Sequence, residues 1–372
     1  MHKVMTIFGT RPEAIKMAPV VKALEAETGM EPQVVVTAQH REMLDQVLEL
    51  FGIEPLLDLD IMRQSQSLSG VLSRSLQGLE RAMFELEPDL VLVHGDTATT
   101  FAGALAAYYQ QIPVGHVEAG LRTRDKYRPF PEEANRHLTG VLADYHFAPT
   151  RRAADNLLAE AVPQKRVFVT GNTVIDALLQ ISAREEPLHP FIRPVIKEGQ
   201  KLILVTAHRR ENWGEPLEDI CRAILQIVDA HPDVTIAFPV HLNPAVRETV
   251  FKYLINKPRI YLLEPLDYLP FAQLMQNSYL LLSDSGGIQE EAPALGKPVL
   301  VMRQVTERPE AVEAGTVKLV GTDPELLFAE ADKLLNDEQY YQEMSQAKNP
   351  FGDGRAAQRI VKIIRDGAGE EE

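Results

Sequence analysis

Residues 280–301, LLLSDSGGIQEEAPALGKPVLV, decide the predicted fold class. The apolar run 279–282 predicts a buried strand. A turn of small residues, 283–287, leads into a predicted helix over 288–294, and a Gly-Lys-Pro turn then leads into a second buried strand, 299–301. Strand, turn, helix and strand form a βαβ unit, in which free N–H groups at the helix start can bind phosphate oxygens.

Two features of this unit indicate a ligand. Gly286 and Gly287 have no Cβ, so a ligand can approach the backbone closely. Glu290 and Glu291 are predicted to lie in the first helical turn, where a carboxylate would repel a phosphate. We therefore interpret one of them as an acceptor for ribose or sugar hydroxyls. The same residues also fit a plain turn in which glycine only tightens the chain.

Length and composition restrict the function classes. A chain of 372 residues predicts two domains, and 45% hydrophobic with 24% charged residues is ordinary for a soluble globular protein. No apolar run approaches the roughly 20 residues that span a bilayer. The net charge of −15 argues against nucleic acid and anionic membranes as partners. The single cysteine, Cys221, is predicted to be a core residue, which indicates a cytoplasmic protein.

The first half of the chain places charged residues after predicted strands. Arg11 and Lys16 follow the strand 4–8, at the carboxyl end where open α/β sheets bind ligands. Asp96 follows the strand 89–94, with Thr97 as a predicted helix cap, and Glu118 follows the strand 113–117.

Two carboxylates from neighbouring strand ends suit acid/base chemistry, because each can be tuned by its surroundings. The alternative is structural, with Asp96 as a helix cap and Glu118 as an ion-pair partner of Arg122. A proline-rich loop then opens a predicted helix over 132–143, on which Arg136 shares a face with Glu132 or Glu133.

The strand and helix pattern predicts two similar domains. Residues 1–183 contain about six strand–helix units, as a doubly wound parallel sheet does. Residues 184–200, rich in proline and charge, are predicted to be a linker. The pattern restarts over 201–350, and residues 351–372 are predicted to form a C-terminal helix with a frayed tail. We expect an α/β protein with two Rossmann-like domains facing each other across a cleft.

The second domain has its own charged strand ends. His208, Arg209 and Arg210 follow the strand 202–206, as an anionic ligand would require. Arg308 follows a later strand. His208 beside two arginines is suited to stabilise the charge of a leaving group.

Nine motifs together resemble the non-hydrolysing UDP-N-acetylglucosamine 2-epimerases of bacteria. In chain order they are GTRPEAIKMAP, VHGDT, HVEAGLRT, PFPEEANR, TAHRREN, PVHLNP, SDSGGIQEEAP, ERPE and NPFGDG. The resemblance implies the GT-B architecture, a C-terminal helix that returns to the first domain, and a cytoplasmic homodimer. It also implies that neither a metal nor a nicotinamide cofactor is needed.

The resemblance assigns roles to individual positions. The implied catalytic residues are Asp96, Glu118, Glu132 and His208. The implied substrate-binding residues are Arg11, Lys16, Arg136, Phe271, Ser285, Gly286, Gly287, Glu291 and Arg308, with Phe271 against the uracil, the Ser-Gly-Gly segment on the diphosphate and Glu291 on the ribose. The implied positions of a regulatory site for a second substrate molecule are Gln39, Arg209 and His241.

The sequence departs from the family pattern at one segment. Members usually have Asp-Thr where this chain has Gln304 and Val305, so a carboxylate and a hydroxyl are lost beside the nucleotide loop. Residues 63–67 also match the regulatory loop poorly.

The expected reaction is reversible epimerisation of UDP-N-acetylglucosamine to UDP-N-acetylmannosamine, which supplies cell-surface polysaccharide synthesis. UDP would leave to give 2-acetamidoglucal and then add again. The alternatives are a hydrolysing epimerase, which would release N-acetylmannosamine, a GT-B glycosyltransferase, and a nucleotide-sugar sensor without catalysis.

Overall fold

The computed structural model describes residues 1–38, 41–63 and 66–367. The chain forms two compact units. The first comprises residues 1–177 together with the C-terminal segment that begins at Phe351, and the second comprises residues 178–350.

The first unit is built on a parallel sheet of seven strands among the described residues. The strands are β1 (His2–Phe8), β2 (Met30–Val36), β3 (Leu57–Asp58), β4 (Leu90–His94), β5 (Val114–Val117), β6 (Tyr145–Ala148) and β7 (Val167–Val169). The helices are α1 (Arg11–Ala26), α2 (Arg41–Phe51), α3 (Leu68–Leu86), α4 (Ala98–Tyr109), α5 (Glu132–Leu142), α6 (Arg151–Ala159) and α7 (Thr173–Ser182). The division between the units falls inside α7.

The second unit has a parallel sheet of six described strands. The strands are β8 (Lys201–Thr206), β9 (Val234–Pro239), β10 (Ile260–Leu263), β11 (Leu280–Ser283), β12 (Val299–Val301) and β13 (Val317–Leu319). The helices are α8 (Glu215–Ala230), α9 (Pro244–Leu254), α10 (Tyr268–Gln276), α11 (Gly286–Glu291), α12 (Pro309–Glu313), α13 (Pro324–Asn336) and α14 (Glu338–Ser345). The last helix, α15 (Ala356–Gly367), belongs to the first unit.

Both sheets have the strand order of a doubly wound fold. The first runs β3-β2-β1-β4-β5-β6-β7 and the second β10-β9-β8-β11-β12-β13, with all pairs parallel. The strand order reverses between β1 and β4 and again between β8 and β11. Open α/β sheets bind ligands at such switch points, beyond the carboxyl ends of the strands. The predicted doubly wound α/β class is therefore confirmed.

The sequence of the strands explains this architecture. The strands β4, β11 and β12 are buried along their whole length, as parallel strands covered by helices on both faces are. The predicted core residue Cys221 is 0% exposed on α8, and burial raises its pKa to about 12, so the thiol is inert.

The structure corrects one prediction at the segment that decides the fold. Helix α11 begins at Gly286, two residues before the predicted start, so the diglycine forms the first helical turn. Glycine has a low helix propensity, which is why the pattern favoured a turn there. Glu290 and Glu291 consequently end the helix instead of lying in its first turn, and Glu290 is buried.

The predicted linker is more ordered than its composition indicates. Residues 184–200 contain no helix or strand in the described structure, yet Ile192 and Val195 are buried. The side chain of Gln273 fixes the segment, because its Oε1 accepts the N–H of His189 at 3.0 Å and its Nε2 donates to the carbonyl of Pro187 at 3.2 Å. Apolar side chains in a proline-rich stretch were the available signal for this packing. No helix in the part of the chain that the structure describes is long and apolar enough to cross a membrane.

Candidate active site

Three of the predicted catalytic residues follow strands that lie at or next to the two switch points. Asp96 and Glu118 follow the neighbouring strands β4 and β5 of the first unit. His208 follows β8 in the second unit, and Asp284 follows the adjacent strand β11. Each unit therefore presents its own cluster of titratable side chains at the carboxyl edge of its sheet.

Three side chains surround the carboxylate of Glu118. Its Oε2 forms an ion pair with Lys16 and accepts a hydrogen bond from Asn172 Nδ2 at 3.0 Å. The Nε2 atom of the buried His94 lies 3.7 Å from the same oxygen. The backbone of Glu118 has a φ of 62°, a left-handed conformation that is uncommon for a residue with a Cβ. Such strain persists only where surrounding contacts enforce it, and it clusters at functional sites.

The charges around Glu118 determine its protonation state. Burial raises the pKa of Glu118, but Lys16 and His94 together outweigh burial and hold the pKa well below its ordinary value. The carboxylate is therefore ionised at neutral pH and acts as an acceptor of protons or hydrogen bonds. The predicted alternative, a structural pair with Arg122, is wrong. Arg122 is paired with Glu160 through two hydrogen bonds of 2.8 Å.

Asp96 is paired with a cation from a different element. Its Oδ2 forms an ion pair with Arg136 on α5, and its backbone carbonyl accepts a hydrogen bond from Asn135 Nδ2 at 2.9 Å. The alternative role of Asp96 as a helix cap is wrong. Thr97 is the N-cap of α4, because its hydroxyl accepts the N–H of Thr100 at 3.2 Å, as the sequence predicted.

Glu133, which the sequence analysis did not select as a site residue, organises the loop before α5. Its Oε1 accepts the N–H groups of Thr123 and Arg124 at 3.0 Å and 2.9 Å. Its Oε2 lies 3.4 Å from Nη1 of Arg136, so Glu133 also orients the arginine that binds Asp96. The neighbouring Glu132 has a buried Oε2 without a hydrogen-bond partner among the described residues. A ligand hydroxyl could satisfy that oxygen.

A second organising residue, Glu13, was also missed. Its carboxylate joins the loop after β1 to the loop after β4 by accepting five hydrogen bonds, from the N–H groups of Gly9 and Thr10 and the hydroxyls of Thr10, Thr97 and Thr100. The signal was present in the sequence, because a threonine followed three residues later by glutamate at a helix start is a capping box. Arg11, half-buried, is the first residue of the helix fixed in this way.

The second cluster is centred on a histidine backed by a buried carboxylate. The Nδ1 atom of His208 lies 3.0 Å from Oδ1 of Asp284, which is fully buried. The other oxygen of Asp284 accepts the N–H groups of His208 and Arg209 at 2.9 Å and 2.8 Å and the side-chain amide of Asn212 at 3.1 Å.

Asp284 is thereby kept charged. Burial raises the pKa of Asp284, but the interactions with His208 and the two backbone N–H groups prevail and lower it. The sequence analysis did not select Asp284. Its position directly after β11, beside the strand that leads to His208, was the signal. A buried carboxylate in this position fixes the orientation of the imidazole.

The predicted regulatory positions are only partly described. His241 lies next to His208, with ring centroids 6.1 Å apart. Arg209 lies over the start of α11, since its Nη2 atom would be 3.7 Å from a Cβ added at Gly286. The same Nη2 atom of Arg209 is 3.8 Å from Oε2 of Glu307. Gln39 lies outside the described residues, as does part of the loop 63–67.

The predicted nucleotide-binding residues lie around α11. Ser285 precedes the helix, and a Cβ added at Gly287 would have only Ser285 Oγ within 4 Å among the described residues, at 3.9 Å, so the backbone there is open to a ligand. Arg308 forms an ion pair with the buried Glu290. Phe271 is half-buried on α10, one turn after Tyr268. Burial, together with the nearby Glu291, raises the pKa of Tyr268 well above its ordinary value.

The departure from the family pattern lies at an exposed surface. Gln304 is exposed near Gly321, and Val305 is 69% exposed. The turn is held instead by Thr306, whose hydroxyl accepts the N–H of Arg308 at 3.0 Å and donates to the side chain of Gln289. Gln304 and Val305, which replace the usual Asp-Thr pair, therefore leave intact the hydrogen bond between Thr306 and the N–H of Arg308.

Comparisons with known proteins agree with this arrangement. A family model described as UDP-N-acetylglucosamine 2-epimerase matches residues 22–365. The UDP-N-acetylglucosamine 2-epimerase of Salmonella typhimurium is 56% identical over 369 residues, which cover 98% of each chain. The crystal structure of the UDP-GlcNAc 2-epimerase from Neisseria meningitidis bound to UDP-GlcNAc is 49% identical, has a TM-score of 0.85, and aligns over 98% of this chain and 100% of that one.

A more distant structure shows that the architecture extends beyond this family. The glycotransferase of kitacinnamycin is 17% identical, with a TM-score of 0.63 over 97% of this chain and 98% of that one, a likeness of fold alone. The GT-B-like class predicted from the sequence is therefore confirmed. The family model and the close relatives span nearly the whole chain, and the protein belongs to the UDP-N-acetylglucosamine 2-epimerase family.

Proposed function

We propose that the protein interconverts UDP-N-acetylglucosamine and UDP-N-acetylmannosamine without hydrolysing either. The observation that supports this most strongly is the pair of clusters, one of carboxylates paired with cations and one of an imidazole beside an ionised aspartate. We assign the sugar to the first cluster and the nucleotide to the second, and the relatives described as bound to UDP-GlcNAc support this choice of substrate.

The proposed reaction begins with loss of UDP. The hydrogen on C2 of the sugar is not adjacent to a carbonyl group, so direct deprotonation would be very slow. Breaking the bond between C1 and the diphosphate oxygen leaves both bonding electrons on UDP and makes the C2 hydrogen acidic. A carboxylate then removes that proton and gives 2-acetamidoglucal. Return of a proton to the opposite face of C2, with attack of UDP on C1, gives the epimer, and no net oxidation occurs.

The protein groups have distinct tasks in this scheme. His208, kept in orientation by Asp284, stabilises the negative charge that develops on the departing UDP. Glu118, ionised in the resting protein, is suited to accept a proton, and Asp96 or Glu132 would supply the group for the other face. Arg136 and Lys16 hold Asp96 and Glu118 by ion pairs, so their role in substrate binding includes placing the two acids.

The nucleotide contacts are proposed from position. Ser285, Gly286 and Gly287 offer an open helix start to the diphosphate, Phe271 would contact the uracil, and Glu291 the ribose. Arg11 would add positive charge from the first unit. Arg308 is neutralised in part by Glu290, so we expect its effect on the phosphates to be weaker than that of an unpaired arginine.

Proton NMR of UDP-N-acetylglucosamine in deuterium oxide tests the function. We expect the UDP-N-acetylmannosamine signals to appear with deuterium at C2 and no free sugar. Free N-acetylmannosamine with UDP would instead identify a hydrolysing epimerase. Retention of hydrogen at C2 would contradict the proposal, and would point to a glycosyltransferase or, with tight binding, to a sensor.

We further propose a cytoplasmic homodimer whose product serves cell-surface polysaccharide synthesis. Exposed apolar side chains on α4 and on the two helices that pack against it support the dimer, namely Phe84 on α3, Tyr108 and Tyr109 on α4, and Leu138 and Val141 on α5. A second copy of the chain is the proposed occupant of this surface. Light scattering should give the dimer mass for the wild type and the monomer mass for Phe84→Glu combined with Val141→Glu, and a monomeric wild type would refute the proposal.

Activation by a second substrate molecule is proposed at Arg209 and His241, together with Gln39. The position of Arg209 and His241 beside His208 would let a second ligand act directly on the leaving-group site. Sigmoidal dependence of the rate on UDP-N-acetylglucosamine is expected. Hyperbolic kinetics in the wild type would contradict it.

A further inference from the structure

Asn172 links the carboxylate of Glu118 to the C-terminal segment of the chain. Its Nδ2 donates to Oε2 of Glu118 at 3.0 Å, and its own N–H donates to the carbonyl of Phe351 at 2.6 Å. The side chain is 3% exposed. Its Oδ1 also accepts the N–H of Val174 at 3.1 Å, so Asn172 caps the start of α7 as well.

The backbone of the C-terminal segment contacts the turn formed by Gly171 and Asn172. A Cβ added at Gly171 would lie 3.4 Å from Gly352 Cα and from the carbonyl oxygen of Phe351, so the two chain segments are in direct backbone contact. Gly171 has a φ of 95° and Gly352 a φ of 139°, conformations that residues with a Cβ rarely adopt. Neither segment can therefore shift without moving Asn172.

Further contacts fasten the two segments together. Arg359 on α15 donates to the carbonyl of Thr170 at 3.1 Å and binds both carboxylate oxygens of Asp353 at 2.8 Å and 2.7 Å. The buried Asp176, one turn after Asn172, accepts the N–H groups at the start of α15 from Ala357 at 2.8 Å and from Ala356 at 3.2 Å.

The chain connectivity gives this turn a special position. The division between the units falls at residues 177 and 178, inside the helix that Asn172 caps, and again between Pro350 and Phe351, the residue that Asn172 binds. Both places where the chain passes from one unit to the other thus adjoin Asn172, whose amide holds Glu118.

We propose that Asn172 is a positioning residue for Glu118 and that the C-terminal segment, through Phe351 and Arg359, fixes the carboxylate in its reactive orientation. This inference rests on the proposed role of Glu118 as an acid/base group. The strained backbone of Glu118 makes such a restraint necessary, because nothing in its own conformation favours the observed position. The ammonium group of Lys16 and the imidazole of His94 lie beside the carboxylate, and Asn172 adds a neutral donor to them.

Two substitutions at one position separate positioning from capping. In Asn172→Ser the hydroxyl can still cap α7, but it is too short to reach Glu118. In Asn172→Ala both functions are lost. We expect kcat to fall by roughly 10- to 100-fold in both variants, since a hydrogen bond to a charged group is lost. Only Asn172→Ala should also lower the melting temperature clearly.

The pH profile provides a readout that a purely structural role would not move. Loss of an amide that donates to the ionised carboxylate raises the pKa of Glu118, so the acid limb of kcat/KM should move to higher pH in Asn172→Ser. A profile identical to that of the wild type, with normal kcat, would overturn the inference. Full epimerase activity in Glu118→Gln would instead overturn the acid/base role of Glu118, and a wild type that does not epimerise the substrate would overturn the proposed function, so the failures can be told apart.

A double-mutant cycle tests the part played by the C-terminal segment. Arg359→Ala should lower kcat and shift the acid limb in the same direction as Asn172→Ser, because it loosens the segment that holds Asn172. In the Asn172→Ser background the same change should have little further effect. Effects of the two substitutions that simply multiply would show that Arg359 acts independently and would refute the coupling.

Discussion

Replacement of Asp284 by asparagine is the sharpest perturbation of the cluster formed by His208 and Asp284, to which we assign stabilisation of the departing UDP. The amide oxygen can keep the three donors that Oδ2 now accepts, from His208 N–H, Arg209 N–H and Asn212. The amide NH2 group then faces Nδ1 of His208 in place of a carboxylate oxygen 3.0 Å away. The substitution therefore preserves the loop while removing the negative charge that faces the imidazole.

The expected size of the effect follows from the geometry. Two unit charges about 4 Å apart interact by about 4 kcal/mol at an effective dielectric constant near 20. The side chain of His208 is 39% exposed, so solvent screening reduces this figure. A hydrogen bond to a charged group is worth roughly 1.5–3 kcal/mol, which corresponds to a fall in kcat of roughly 10- to 100-fold.

Steady-state assays of UDP-N-acetylglucosamine epimerisation measure the effect, with melting temperatures as a check on folding. The matched control is Asp332→Asn, which changes a structural pair in the same unit, where Asp332 Oδ1 lies 2.9 Å from His231 Nε2. This control should leave kcat unchanged. In a His208→Gln background, Asp284→Asn should add little, because both substitutions remove one function. A folded Asp284→Asn variant with wild-type kcat would refute the role assigned to the pair.

Three further predictions concern the first unit. Asp96→Asn and Glu118→Gln should each fold normally and lose at least about 100-fold in turnover, and near-wild-type rates in both would end their assignment. Lys16→Met should raise the pKa of Glu118 and move the acid limb of kcat/KM to higher pH. Lys22→Met, on the same helix but paired with Glu25, should leave the profile in place. An unmoved limb in Lys16→Met would contradict the ion pair. Burial raises the pKa of Asp176 from 3.8 to about 6. The favourable contribution of this carboxyl group to folding is therefore complete below pH 3.8 and is lost as the pH rises through 6. Chemical denaturation across roughly pH 4 to 7 should show this loss, up to about 3 kcal/mol, in the wild type and not in Asp176→Asn, and parallel curves for the two proteins would contradict it.

Much of the architecture could be predicted from the sequence, because buried parallel strands leave a strong signal. Continuous apolar runs such as 280–282 mark strands that helices cover on both faces. Short strands at the sheet edges lack this signal. The two-residue β3 and the three-residue β13 were not predicted, since their pairing depends on neighbours distant in the sequence.

The candidate site was predictable to the extent that its residues follow strand ends. That rule selected Asp96, Glu118 and His208. It did not reveal which partners they have, because those partners come from other elements. Asn172, for example, is 54 residues from Glu118 in the chain, and Asp284 is separated from His208 by three strands in sequence although their strands are neighbours in the sheet.

The outcome at Arg308 illustrates the same limit. The sequence analysis treated this arginine as charge available to the phosphates. The structure pairs it with Glu290, which is buried near the end of α11. The sequence analysis placed the start of α11 two residues too late and left open which of the two glutamates is buried. Local propensity does not resolve shifts of this size.

The central claim is that UDP leaves the sugar and returns to it within one turnover. Positional isotope exchange measures this directly, with UDP-N-acetylglucosamine that carries heavy oxygen in the bridge between C1 and the β-phosphorus. Once UDP is free of the sugar, rotation of the β-phosphate makes its oxygens equivalent. We predict that phosphorus NMR will show the label moving into non-bridging positions as the epimer forms. Epimer formed at a normal rate with all of the label still in the bridge would contradict the mechanism.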